Sequence, residues 1–220
     1  MAGKITALRF QKRQDRVNVY LDGQFAFGLA AIEAAHLQVG QVLSDDDITR
    51  LQALDEVERA YQQALNFLSY RPRSEAEVRR RLQRKTIDDE VIGAVVDRLA
   101  RVGLLDDQEF ARYWVDNRLQ FKPRGARALR HELREKGISD AIVSEILADV
   151  DEESAARNVA ESAARRWAHL EVNDFRRKLG AYMARRGFSY GTIKPLVEEI
   201  VAERHSEAFI DMESEVKEYE

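Results

Sequence analysis

The chain has 220 residues, 45% of them apolar, enough to bury a real core in one large domain or two smaller ones. It has no Cys, which excludes disulfides and thiolate chemistry and suits a reducing compartment, and no stretch approaches the ~20 apolar residues that would span a bilayer. The formal net charge of −4 conceals an asymmetry. Residues 1–58 carry 6 Lys/Arg against 9 Asp/Glu, a net of −3; residues 59–136 carry 18 against 12, a net of +6; residues 137–220 carry 11 against 18, a net of −7. A basic middle between acidic ends is either the footprint of an anionic partner or an unevenly charged solvated face.

With 34% charged residues and only three Pro, the composition suits long solvent-facing helices more than sandwiches or barrels. No apolar run precedes a cleavage site near the N-terminus, so no signal peptide is expected and the default is a soluble cytoplasmic protein.

The first thirty residues do not read as helix. Val17, Val19 and Leu21 alternate with Asn18, Tyr20 and Asp22, and Asp22-Gly23 sits between that run and Phe25-Ala26-Phe27. Asp-Gly between alternating runs signals a type I′ hairpin, because both central residues need φ > 0. An earlier turn is expected at Gln14-Asp15, giving two or three strands that lean on the helices that follow, since a lone hairpin is marginal in water. Residues 30–35 read as a short helix and 36–42 as a connector. Ser44, with Asp47 three residues on, opens the next helix as N-cap.

From Val57 onward a pattern recurs three times. Arg71-Pro72-Arg73-Ser74-x-x-x-Val78-x-x-x-Leu82 is followed by Lys122-Pro123-Arg124-Gly125-x-x-x-Leu129-x-x-x-Leu133, then by the worn copy Asp174-Phe175-Arg176-x-x-Leu179-x-x-x-Met183. After each copy comes a short break and another apolar helix: Thr86-Ile87-Asp88, Gly137-Ile138-Ser139 and Gly187-Phe188-Ser189. A fixed period of about fifty residues marks stacked helical units that bury their apolar faces against one another. Ser74-x-x-Glu77 reads as a capping box, and Gly103 closes a helix in a left-handed turn. The expected fold is mainly α: three tandem three-helix repeats in an elongated curved array, with a small N-terminal β-hairpin element. The expected divisions are 1–56 for the N-terminal element, 57–105, 106–150 and 151–204 for the repeats, and 205–220 for an acidic tail that is frayed or disordered.

The chemistry-bearing residues are mostly basic. Arg71, Arg73, Arg79, Arg80, Arg81, Arg84 and Lys85 crowd one turn and helix of the first repeat; Lys122, Arg124, Arg127, Arg130 and Arg134 do so in the second. Arg80 and Arg84, at i and i+4, point outward together, and Arg127, Arg130 and Arg134 share a face offset from Leu129 and Leu133. Like charges at that spacing repel, so an anionic partner would relieve them; the alternative is ordinary solubilising charge, partly neutralised by Glu75, Glu77, Glu132 and Glu135. The candidate contacts are Arg71, Arg73, Arg80, Arg84, Lys122, Arg124, Arg127, Arg130 and Arg134. Exchanging Arg127 and Arg130 for Glu is expected to weaken partner binding and leave the fold intact.

Asp106-Asp107, Asp45–Asp47 and Asp88-Asp89 stand at helix starts, where carboxylates cap, rather than forming acid–base or metal pairs. The four His are far apart, and no phosphate-binding glycine loop or nucleophile elbow occurs, so neither a metal, a cofactor nor catalysis is expected. Trp114, Trp167, Tyr113 and Phe110 fall on apolar stripes and read as core, whereas Tyr70 and Phe121, each just before a basic Pro dipeptide, are better placed to stack on bases.

The stretch Ala64-Leu65-x-x-Leu68-Ser69-x-Arg71-Pro72-Arg73-Ser74-x-x-Glu77-Val78-x-x-x-Leu82 resembles the first repeat of the RecX family, regulators of the RecA recombinase. Gly103-Leu104-Leu105-Asp106-Asp107-x-x-Phe110-Ala111-x-x-Trp114-Val115-x-x-Arg118, with Lys122-Pro123-Arg124-Gly125 and Leu129-x-x-Glu132-Leu133-x-x-Lys136-Gly137-Ile138, resembles its second repeat. Val17-x-Val19-Tyr20-Leu21-Asp22-Gly23-x-Phe25 looks like the hairpin extension of longer members. The resemblance implies a non-enzymatic protein of bacterial cytoplasm that lies along the groove of the RecA filament on single-stranded DNA. It would limit filament growth or promote disassembly, and so modulate recombination, DNA repair and the SOS response. Single-stranded DNA would be met directly or through the filament, with no membrane involved and a monomer sufficing. The competing reading is a DNA-binding helical module that acts without RecA.

Overall fold

Alternating apolar residues and an Asp-Gly turn build the first element. Strands β1 (Gly3–Phe10), β2 (Arg16–Leu21) and β3 (Gln24–Ala30) pair antiparallel, with Asp22 at φ 49° and Gly23 at φ 85° between the last two. The structure, a computed structural model, describes residues 2–11 and 15–217, with side chains as far as Arg204. The turn expected at Gln14-Asp15 lies partly outside the described residues. A fourth strand, unforeseen because it is only two residues long, is β4 (Val42–Leu43); it begins at the last residue of the segment expected to be a connector and pairs with β1, and the sheet order is β3-β2-β1-β4.

After the short helix α1 (Ala31–Ala34) comes α2 (Asp45–Leu68), capped by a full Ser44/Asp47 box. Two helices were expected on either side of residue 57, but α2 runs through unbroken. No Gly or Pro interrupts it, and its buried face passes continuously from Leu51 to Ala64. One helix therefore serves two partners. Its first half takes the sheet in a core of Ile5, Val17, Val19, Phe27, Leu29, Leu43 and Leu51, which supplies the support a small sheet needs. Its second half opens the first three-helix repeat with α3 (Glu75–Gln83) and α4 (Asp89–Arg101), around Ala64, Val78, Leu82, Ile92, Val95 and Leu99.

Two buried carboxylates tie these halves. Asp55 accepts the backbone N–H of Ala30 at 2.9 Å and an Arg16 guanidinium at 2.7 Å. One turn on, Glu58 accepts Arg98 at 2.6 Å and Gln62 at 2.9 Å, and the Arg98 guanidinium lies 3.8 Å from the Tyr61 ring centre. Burial pushes the Glu58 carboxyl up, but the hydrogen bonds from Gln62 and Arg98 and the Arg98 charge outweigh it and hold the pKa below the ordinary value.

The remaining helices form two further repeats, α5 (Asp107–Phe121), α6 (Ala126–Glu135) and α7 (Asp140–Ala148), then α8 (Glu152–Arg166), α9 (Val172–Arg185) and α10 (Tyr190–Lys217). Their cores centre on Phe110, Leu129, Leu133 and Ile146, and on Phe175, Leu179, Met183 and Phe188. The last helix continues into the segment expected to be frayed, its backbone remaining helical to Lys217. The chain forms two compact units, Met1–Asp106 with the sheet and first repeat, and Asp107–Glu220 with the other two.

Each repeat turns from its second helix to its third in the same way. Thr86 (φ 59°), Gly137 (φ 84°) and Gly187 (φ 91°) are left-handed. The next residue, Ile87, Ile138 or Phe188, sends its N–H back to Leu82, Leu133 or Met183 and drops its side chain onto the core. The residue after that, Asp88, Ser139 or Ser189, caps the following helix. This is a Schellman ending joined to an N-cap in three residues. Gly103 ends α4 with the same backbone pattern, as its position predicted.

Two outcomes follow for the first unit. Thr86 is β-branched at a left-handed position where the other repeats use Gly, so Thr86→Gly should raise stability by about 1 kcal/mol, read as an upward shift of the urea midpoint. The lowered Glu58 pKa means its contribution is fully present above the unfolded value near 4.5 and is lost as pH falls through the lower folded value. Urea midpoints between pH 7 and pH 3 should therefore fall less steeply in Glu58→Gln than in the wild type, from a lower starting point.

Candidate anion-binding surface of the first repeat

The capping box at the start of α3 is complete: Ser74, fully buried, accepts the Glu77 N–H and Glu77 reaches back to Ser74. Arg71 closes onto the same carboxylate at 2.8 Å and also donates to the Pro72 carbonyl at 2.8 Å. Arg71 is thus spent on holding the turn. Arg79 is likewise paired with Glu75 at 2.6 Å.

Arg73 is placed differently. Its guanidinium lies 4.0 Å from the Phe67 ring centre, and its Nε is buried without a hydrogen-bond partner among the described residues. Arg81 approaches the same ring at 5.6 Å. Burial lowers the Arg73 pKa, and the charges of Arg71 and Arg81 lower it further, against an opposing pull from Glu77. Arg73 makes no ion pair among the described residues; neither do Arg81, Arg84 and Lys85. Beside it a recess of about 740 Å³ opens, lined by Phe67, Arg73, Glu77, Arg80, Gln83 and Arg84. Arg80 on α3 and Arg84 at its C-cap are both exposed, as their spacing predicted.

In the second repeat most candidate cations are engaged. Arg124 stands 3.7 Å from Glu132, a carboxylate that also takes Arg118 at 2.6 Å and the Trp114 indole N–H at 2.9 Å. Trp114 is flanked by Arg118 at 4.4 Å and Lys136 at 4.7 Å, Phe110 stacks beside it, and Trp167 is buried. Tyr113, expected in the core with them, is exposed, whereas Tyr70 and Phe121 stand clear of the surface, 78% and 67% exposed. Arg127 donates to the Ala184 carbonyl at 3.0 Å, and Arg134 to Asp140 at 2.6 Å. Hydrogen bonding from Arg134 holds the Asp140 carboxyl below its usual range, with the charges of Arg134 and half-buried Arg130 adding to it. Lys122 is exposed.

The contact between the second and third repeats explains Arg127. Gly125 donates its N–H to the Arg186 carbonyl at 3.0 Å, and Arg186 donates to the Pro123 carbonyl at 3.0 Å. A Cβ at Gly125 would collide with the Gly187 carbonyl and the Phe188 N–H, and one at Gly187 would collide with Ala128. Gly125 has no side chain to cap α6, so Glu152 accepts the Ala126 N–H from the start of α8 at 3.1 Å. Leu119 packs against the cores of both repeats.

Register decides which cations correspond. With Val78 set on Leu129, Arg71, Arg73 and Arg79 match Lys122, Arg124 and Arg130, but Arg80 and Arg84 match His131 and Glu135. The outward cation pair of the first repeat is not repeated in the second. Phe67 and Arg81 were not among the expected site residues. Their signal was the same register, which sets Arg81 on Glu132.

Two of the aspartate clusters cap helices: Asp47 closes the box on Ser44, and Asp88 accepts the Glu90 N–H; Asp106 stands just before α5, which begins at Asp107. Among the described residues no cluster of His, Asp and Glu has the makings of a metal site, and no helix is long and apolar enough to cross a membrane.

Four profiles of a single family match in order along the chain. They are the Regulatory protein RecX N-terminal domain over residues 3–44, then the first, second and third RecX three-helix domains over 60–99, 106–147 and 151–197. The chain belongs to the RecX family. Regulatory protein RecX of Bacillus subtilis (strain 168) is 33% identical over 202 residues, covering 89% of this chain and 76% of that protein. The protein of the same name from Leuconostoc citreum (strain KM20) is 28% identical over 208 residues, covering 92% and 78%. A crystal structure of regulatory protein RecX superposes with a TM-score of 0.75 at 25% identity, covering 89% of this chain and 99% of that one. RecX from Lactobacillus salivarius gives 0.61 at 27% identity, covering 67% and 97%. Membership confirms the mainly α architecture of three RecX three-helix domains behind a small strand element.

Because Arg127 bonds across two repeats, reversing it should reach beyond partner binding. Arg127→Glu plus Arg130→Glu is expected to lower the stability of the second unit by about 1 kcal/mol, seen in thermal or urea unfolding, so the exchange does not leave the fold untouched.

Proposed function

We propose that this chain is a non-enzymatic, mainly negative regulator of the RecA recombinase. It engages the RecA filament on single-stranded DNA in the cytoplasm and limits filament growth or promotes disassembly, thereby modulating recombination and repair. The observation that carries this reading is the ordered match of all four RecX segments over residues 3–197, with curated relatives named regulatory proteins. The surface is compatible with it. Arg73, Arg80 and Arg84 gather at one recess of the first repeat, and Lys122 and Arg130 add cations in the second. Arg71, Arg124, Arg127 and Arg134 hold the fold, and any contact they make with a partner is shared with that role.

The competing reading, a DNA-binding module indifferent to RecA, is favoured by the same cations and separated by stoichiometry. RecA-catalysed ATP hydrolysis on single-stranded DNA should fall at amounts of this protein far below those that coat the DNA. Inhibition only at DNA saturation would mean simple competition, and no inhibition would remove the proposal. Arg80→Glu plus Arg84→Glu should raise the half-inhibiting concentration by about tenfold with the melting temperature unchanged.

A further inference from the structure

The first and second repeats carry the same arginine in the same turn, Arg73 and Arg124, eight residues before positions of opposite charge, Arg81 and Glu132. In the second repeat Glu132 stands 3.7 Å from Arg124 and ties it to Arg118 and Trp114. In the first, Phe67 takes the place of a carboxylate: Arg73 stacks on its ring at 4.0 Å, and Arg81 reaches the same ring at 5.6 Å. An aromatic face orients a guanidinium without cancelling its charge, whereas a carboxylate does both. In the second repeat this arginine is therefore paired with a carboxylate, whereas in the first Arg73 is oriented on a ring and lines a recess with Arg80 and Arg84, Arg81 standing beside the same ring. The one carboxylate lining that recess, Glu77, is already met by Arg71.

We infer that the recess beside α3 is a phosphodiester subsite for single-stranded nucleic acid, with Phe67 as the positioning residue for Arg73 and Arg81. This rests on the reading above that the basic middle of the chain meets the filament, and assigns the nucleic-acid contact to the first repeat. Three features favour a phosphate strand over a single acidic side chain. Three guanidiniums share one opening, more charge than one carboxylate neutralises; the space, about 740 Å³, exceeds a carboxylate several-fold; and exposed Arg81 on α3 and Lys85 just past its end extend the run of cations beyond the recess. The Phe67 ring is occupied by Arg73, so bases are read elsewhere, and exposed Tyr70 at the end of the same turn is the available aromatic face.

The decisive variant is Arg81→Glu, which rebuilds the arrangement of the second repeat. It should pair Arg73, keep or raise the melting temperature, and weaken binding of a fluorescent oligo-dT by about tenfold, the log–log salt slope falling by about 1.4 for two lost phosphate contacts. Arg101→Glu, the same charge change at an exposed site on α4, should weaken binding by no more than about twofold. Phe67→Leu should act like Arg81→Glu in milder form, and Phe67→Tyr should restore wild-type affinity. Equal losses for Arg81→Glu and Arg101→Glu would overturn the subsite. So would a wild-type protein that ignores oligo-dT but binds poly-glutamate with dependence on Arg81, which would make the partner a protein carboxylate. If RecA inhibition persists while these variants bind oligo-dT normally, only the subsite fails; if the wild type has no effect on RecA, the reading beneath it fails too.

Discussion

The constraint on which the whole array depends is the reversal between the second and third helix of each repeat. A residue forced into the left-handed region ends one helix, an apolar side chain plugs the core, and a polar side chain starts the next helix, all within three positions. Each element handles groups that helix ends leave unsatisfied: the turn takes orphan carbonyls and the cap takes orphan amides. Shortening or reversing the order would leave the stripes of the two helices facing apart. The plug varies from Ile to Phe and the left-handed residue from Gly to Thr, while the geometry holds, because the backbone hydrogen bonds carry the reversal and the side chains tune it.

Given that common frame, the repeats diverge where they meet other parts of the protein. The second and third are joined by backbone contact at Gly125 and Gly187, so close that a single Cβ on either would collide. That contact explains why the capping serine of the first repeat, Ser74, is matched by a glycine in the second, and why a carboxylate from the next repeat supplies the missing cap. The first repeat faces no such neighbour within its unit. It instead shares α2 with the sheet, through the buried acceptors Asp55 and Glu58.

Charge follows the same division of labour. A count of arginines treats both repeats as equally cationic, yet geometry separates cations paired within the chain from those that make no ion pair among the described residues. Arg71 and Arg134 are spent on carboxylates, Arg127 on a carbonyl across a repeat boundary. Arg73 is held on an aromatic ring and makes no ion pair among the described residues, though it feels the charge of Glu77.

Much was legible from local pattern. Spacing of apolar residues yielded the helices, the Asp-Gly step yielded the hairpin, and the fifty-residue period yielded the three repeats, because each reports on contacts made within a few turns of chain. Capping serines and aspartates were equally readable, since their partners lie two or three residues away. The short strand β4 was not, being too brief to show alternation and existing only because β1 offers it an edge. Nor was the continuity of α2, whose two faces of use are set by partners far apart in sequence. The fate of each arginine was likewise open until the chain folded. Arg127 finds its carbonyl 57 residues away and Arg98 its carboxylate 40 residues away, distances at which no periodicity speaks. The linear order of residues decided which helices form and how they turn; the packed structure alone decided which charges are consumed in holding them, because that depends on neighbours only tertiary contact brings together.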